Sequence, residues 1–265
     1  MLAELPPAFL VAVAFVLGAC VGSFLNVVAY RLPHGESLIQ PGSRCPVCWD
    51  AIPFWANVPI LSFLLLRGRC RRCQTPISIR YPLVEAATAA LFALLMVRWL
   101  ETAPGPRLLV DWLLASALVA VTLIDADHRI IPNEITYPGI PLGLALAWLV
   151  PGPTLLDALL GLLIPGGLLW ALSAGYERWR GQIGLGLGDV KLVAMLGAFL
   201  GLSPALEIIV LGSLLGLAWG LFLIAFRGAG RLTRIPFGPA LAAAGLCQLF
   251  APGWLMRGLA GLVVV

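Results

Sequence analysis

Long apolar runs without one charged residue, cut at intervals by charges, constrain this chain more than any other feature in it. Eight such runs are present: Leu5–Tyr30, Ala86–Val97, Trp112–Ile124, Ile135–Leu156, Ala158–Tyr176, Leu192–Leu206, Ile208–Phe226 and Ile235–Met256. About 20 apolar residues wound as a helix cross the ~30 Å hydrocarbon core of a bilayer. The second, third and sixth runs fall short of that, and extending them to about 83–100, 107–124 and 190–205 admits a terminal charge that can snorkel to the interface. Of 265 residues, 11% are charged, against about 25% in soluble domains. With 60% apolar residues and a mean hydropathy of +0.98, the chain cannot be disordered, a coiled coil or an ordinary water-soluble enzyme. The expected fold is all-α and polytopic, with about eight transmembrane helices in a single membrane domain over 1–265. A small polar loop subdomain is expected to be inserted at 31–82.

Basic residues fix the orientation, because cytoplasmic loops collect Lys and Arg. With the first helix running from outside to inside, the inner loops hold Arg31, Arg44, Arg67, Arg69, Arg71, Arg72, Arg80, Arg129, Arg178, Arg180, Lys191, Arg227, Arg231 and Arg234. The outer side keeps Arg98, Arg107 and Arg257. The net charge of +4 is therefore a topology signal and no nucleic-acid footprint. Leu17-Gly18-Ala19-Cys20 loosely resembles a lipoprotein cleavage box. A secretory signal needs a basic leading region, however, and Met1–Pro7 carries only Glu4, so the first helix is expected to be retained. No repeat of 20–50 residues stands out.

The inner insertion carries Cys45-Pro46-Val47-Cys48 and Cys70-Arg71-Arg72-Cys73. Each pair can aim two thiolates at one point, and two such pairs make the four-sulfur tetrahedron that structural zinc prefers. Disulfides or redox pairs and plain free thiols are the competing readings; a cytosolic location disfavours disulfides. Four sulfur ligands leave no open position for water, so the metal would hold the loop together and not catalyse. Cys20 and Cys247 lie in apolar runs and read as small core residues.

Two acidic residues stand where charges are costly. The third run ends in Asp125-Ala126-Asp127-His128-Arg129, and the sixth begins Gly184-Leu185-Gly186-Leu187-Gly188-Asp189-Val190-Lys191. Asp127, His128 and Arg129 read as an ordinary solvated helix end. Asp125 follows 13 uncharged residues and Asp189 follows a glycine-rich stretch, both at inner membrane boundaries, where a carboxylate is a functional-site candidate. Two neighbouring carboxylates share a proton: the charged one can activate water while the protonated one donates to a carbonyl oxygen, which is peptide hydrolysis without a covalent intermediate. Asp189, near a helix N-terminus, is the expected base. The glycines lack the strand that a dinucleotide site requires. Gly186 and Gly188 instead would let an extended substrate approach the backbone. Lys191, the sole lysine, reads as a headgroup anchor or as a modulator of the carboxylates.

Taken in order, Gly22-Ser23-Phe24-Leu25-Asn26-Val27-Val28, Arg31-Leu32-Pro33, the two cysteine pairs, Arg80-Tyr81-Pro82-Leu83-Val84-Glu85, the Asp125 segment, Gly186-Leu187-Gly188-Asp189 and Pro236-Phe237-Gly238-Pro239 resemble the bacterial type IV prepilin peptidases. The resemblance implies a membrane-embedded aspartyl endopeptidase of the cytoplasmic (inner) membrane. Such an enzyme removes the short basic leader of type IV prepilins and type II secretion pseudopilins and methylates the new N-terminus with S-adenosylmethionine. In that pattern Asp125 and Asp189 are the catalytic pair, with Gly186, Gly188 and Lys191 in support and a catalytic core over about 107–226. The intact set Cys45, Cys48, Cys70 and Cys73 favours the bifunctional type. A basic inner face and a basic leader repel one another, so Glu36, Asp50, Glu85, Glu134 or Glu177 are candidate leader contacts. The rival classes are a membrane thiol-disulfide redox protein, which needs its cysteines on the oxidising side, and a proton-coupled transporter, which needs repeats and a midplane site.

Overall fold

The computed structural model describes residues 5–102, 105–182, 184–227 and 236–254. Arg231, Arg234, Arg257 and both ends of the eighth apolar run lie outside these residues. The described residues are helical apart from loops and two isolated β-bridges, which agrees with the all-α class. They fall into two compact units, Met1–Leu108 and Leu109–Val265.

In the first unit, α1 (Pro7–Arg31) packs on α3 (Arg80–Thr102). Between them comes the loop that holds the cysteines and a five-residue helix, α2 (Leu61–Leu65). α1 opens on Pro7, whose missing N–H is no loss at a helix start, and ends on Arg31, which suits the negative end of the helix dipole. The seam with α3 is made by Gly18 and Gly22, four residues apart on one face. A Cβ at Gly18 would stand 2.7 Å from Ala89 Cα, and one at Gly22 2.8 Å from Glu85 Cα. Lipid supplies no hydrophobic drive between helices, so this backbone-to-backbone approach is what small residues contribute. Asn26 ties the pair where α1 ends and α3 begins, its Nδ2 donating to the Gly22 and Tyr81 carbonyls at 3.2 and 3.3 Å.

The second unit contains α4 (Arg107–His128, whose first two residues belong to the first unit), α5 (Asn133–Leu149), α6 (Leu155–Arg180), α7 (Leu187–Leu200), α8 (Leu202–Arg227) and α9 (Gly238–Phe250). α7 is the central element: Leu192, Val193, Met195 and Leu196 are at most 1% exposed. Gly161 of α6 and Gly197 of α7 face one another with no room for a Cβ on either. α8 leaves Leu214, Leu217, Leu221 and Phe222 exposed, as a lipid-facing helix must.

The count of eight spans is not confirmed. Among the described residues five helices are long and apolar enough to cross a membrane: α1, α3, α4, α6 and α8. α7 and α9, of 14 and 13 residues, rise only about 20 Å at 1.5 Å per residue. α5 has 17 residues and two internal prolines, Pro138 and Pro141. Absence of charge does not mark helix ends, because an uncharged run also passes through turns. The run Leu192–Leu206 crosses Gly201, at φ 89°, into α8. Charges taken as breaks also prove internal. Asp157 lies in the first turn of α6, where Thr154 caps the helix and Asp157 Oδ1 accepts the Leu202 N–H at 3.2 Å. Glu207 is buried in α8, where its carboxylate accepts a 2.9 Å hydrogen bond from Gln248 Nε2. Cys20 and Cys247 are exposed on their helices and are not core residues; an apolar environment outside the protein tolerates them there equally well.

Candidate active site and candidate metal centre

Asp125 lies one turn before the end of α4 and is 5% exposed. Its Oδ2 accepts the Gly238 N–H at 2.9 Å. Gly238 is the first residue of α9, so its N–H has no partner within its own helix and is available to a distant carboxylate. Only glycine serves there: a Cβ at Gly238 would stand 2.6 Å from Asp125 Oδ2. Asp189 is the third residue of α7 and half-buried, with its N–H on the Gly186 carbonyl at 3.1 Å. The two carboxylates lie close enough for their charges to repel.

The glycine-rich turn before Asp189 is held by α6 and closely approached by the α4–α5 link. Ser173 Oγ donates to the Leu185 carbonyl at 2.9 Å, and a Cβ at Gly188 would meet Ile131 at 3.0 Å. Gly186 is exposed, and its missing Cβ would look onto Asp189 Oδ2 at 3.2 Å. Lys191 turns to α5, donating to Asn133 Oδ1 at 2.6 Å with its ammonium 4.8 Å from the Tyr137 ring centre. Asp127, His128 and Arg129 are exposed beyond Asp125. Sequence reasoning missed Gly238 and Ser173 as supports. The Pro-Phe-Gly-Pro motif marked Gly238, but nothing local says that a residue 113 positions away needs its N–H.

In the first unit the four cysteine sulfurs gather within 4.8 Å of one another. Cys45 and Cys73 Sγ are 3.7 Å apart, and Cys48 and Cys70 Sγ 3.9 Å. A tetrahedron with metal–sulfur bonds of about 2.3 Å has edges of about 3.8 Å, so the set fits a zinc-sized ion. The two turns are duplicates. Cys45 N–H bonds to Asp50 O as Cys70 N–H does to Thr75 O, and Trp49 N–H returns to Cys45 O as Gln74 N–H does to Cys70 O. Bridges Arg44–Ala51 and Arg69–Pro76 close them, with Trp49 and Gln74 both at positive φ. The two turns are a short repeat 25 residues apart, and the sequence carries it as Arg-Cys-x-x-Cys-x-x-x-Ile at Arg44–Ile52 and Arg69–Ile77. Hydrogen bonds from Thr75 hold the Cys73 thiol down to about 6, and the N–H groups of Cys48 and Val47 hold Cys45 below its ordinary value. Against the lowering by the Asp50 N–H, burial and the adjoining thiols push Cys48 up to about 11. A metal would displace the protons that remain.

The model of the bacterial peptidase A24 N-terminal domain matches residues 16–99, and that of the type IV leader peptidase family matches residues 112–221. Proteins named prepilin leader peptidase/N-methyltransferase are similar along most of the chain. The one from Burkholderia pseudomallei is 36% identical over 284 residues, covering 97% of this chain and 91% of its own. The chain belongs to the type IV leader peptidase family. The Neisseria gonorrhoeae relative is 39% identical, with 89% of each chain covered. The Myxococcus xanthus relative is 42% identical over 81% of this chain, which spans only 63% of that protein's length. No solved structure matches. Family membership and the five long apolar helices make this a multi-pass protein of the inner membrane. The redox and transporter readings are not favoured by these matches.

Of the five acidic residues considered for leader binding, two are engaged. Asp50 pairs with Arg72 at 2.9 Å, and Glu85 is buried with Oε2 accepting the Ile60 N–H at 2.7 Å. Glu36, Glu134 and Glu177 are exposed.

Proposed function

We propose that the chain cleaves the leader from type IV prepilins and type II secretion pseudopilins at the cytoplasmic face of the inner membrane and methylates the new N-terminal amine with S-adenosylmethionine as donor. The observation that carries this is the convergence of Asp125 and Asp189 from the ends of two helices, with Gly238 N–H fixing the first. Asp189, half-open to water and at a helix N-terminus, takes a proton from the attacking water. Asp125, buried and oriented by Gly238, gives its proton to the scissile carbonyl oxygen. The resulting diol collapses as Asp189 passes its proton to the peptide nitrogen, which leaves as the amine, while Asp125 takes a proton back from a diol hydroxyl and the carboxylic acid product forms. The catalytic core over about 107–226 is completed by the start of α9. The tetracysteine subdomain over 31–82 holds zinc for its fold, and the basic loops orient it and the aspartates toward the cytoplasm.

Co-expression with a prepilin, followed by mass spectrometry of the substrate's N-terminus, reads cleavage and methylation together. Asp125→Asn and Asp189→Asn each abolish cleavage, whereas Asp127→Asn retains it. Appreciable cleavage by either of the first two overturns the assignment.

A further inference from the structure

The loop between α1 and α3 turns its apolar residues outward. On α2, Leu61, Leu64 and Leu65 follow the i, i+3, i+4 spacing that puts them on one face, and they are 57%, 63% and 82% exposed. Phe54, just upstream, is 87% exposed. Phe63 is turned the other way, its ring 3.0 Å from where a Cβ at Gly68 would stand. So large an outward apolar surface in a polar loop marks a contact that the chain itself does not supply.

Two further observations choose the contact. The Glu85 carboxylate, six residues into the membrane helix α3, holds the N–H of Ile60, the residue that leads into α2. That bond fixes the start of α2 at the depth of the first two turns of a span, which is the boundary layer of the bilayer. The surrounding charge is also one-sided: residues 31–82 carry seven arginines and no lysine against Glu36 and Asp50. Arg67, Arg69 and Arg71 are exposed beside the leucines, with Arg71 5.1 Å from the Trp55 ring centre. Exposed leucine and aromatic residues followed closely in sequence by exposed arginines are the composition of a segment lying in an interface of anionic lipid, and they would repel a basic peptide.

We propose that α2 docks in the headgroup layer of the anionic inner leaflet, with Leu61, Leu64 and Leu65 entering the acyl boundary and Arg67, Arg69 and Arg71 meeting lipid phosphates. The cysteine turns are thereby held flat against the membrane.

The test uses the full chain in nanodiscs of phosphatidylcholine, alone or with phosphatidylglycerol, and reads amide hydrogen exchange over residues 58–68. Exchange is expected to slow severalfold when the anionic lipid is present. The double variant Leu64→Glu/Leu65→Glu loses the protection in both lipids, and Arg67→Gln/Arg69→Gln loses the difference between them, while α1 and α3 exchange as before. A photoreactive residue placed at position 65 is expected to label lipid. Equal exchange in both lipids, or labelling of residues 109–254 or of a co-reconstituted prepilin in place of lipid, overturns the proposal.

Discussion

Asp125 and Gly238 form a unit whose two halves are chemically unequal. In the proposed mechanism the aspartate supplies the reacting group; the glycine supplies an N–H and the space in which the carboxylate stands. Gly238→Ala brings a methyl group to 2.6 Å from Oδ2, and displacing a catalytic group by a fraction of an ångström to an ångström lowers rates by up to about 10²-fold. Cleavage of a prepilin in membranes by that variant should fall on that order at unchanged protein level. Gly186→Ala, whose added methyl would stand farther off, at 3.2 Å from Asp189 Oδ2, should lose less. The two aspartates at helix ends were legible as candidates because so few charges exist; which glycine serves which aspartate was not, since a backbone N–H leaves no mark in sequence.

At the scale of elements, the cysteine turns behave as a matched pair. Each makes the same backbone bonds and supplies two sulfurs, so Cys45→Ser and Cys70→Ser should each release the bound metal and open the loop to protease to a similar extent; a purified protein without stoichiometric zinc would contradict this. Cysteine spacing was enough to predict the site because a C-x-x-C turn is a local geometry. The pairing of Glu207 with Gln248 is of the other kind. Both are at most 2% exposed, and Glu207 looks in sequence like a loop charge. Gln248→Leu removes a donor from a buried carboxylate and should lower the stability measured by detergent thermal unfolding by about 1–3 kcal/mol. Prepilin cleavage should survive, since Gln248 is some 15 Å along α9 from Gly238 at 1.5 Å per residue.

For the whole molecule, the disposition of arginine predicts which side the chemistry faces. A membrane-impermeant thiol reagent should leave the cysteine loop unlabelled in intact cells and label it once they are broken. Labelling in intact cells would reverse the orientation and revive the redox reading. By itself the sequence determined that the chain is helical and membrane-embedded, that four cysteines can close on one metal, and which two carboxylates are out of place. Each of these follows from transfer free energy or from spacing within a turn, and both are properties of short segments. Tertiary structure alone decided where the uncharged runs break into separate helices, that Gly238 orients Asp125, and that Glu207 is an interior group. Those outcomes depend on how closely helices approach across more than a hundred residues of chain, and the shapes of facing side chains set that approach.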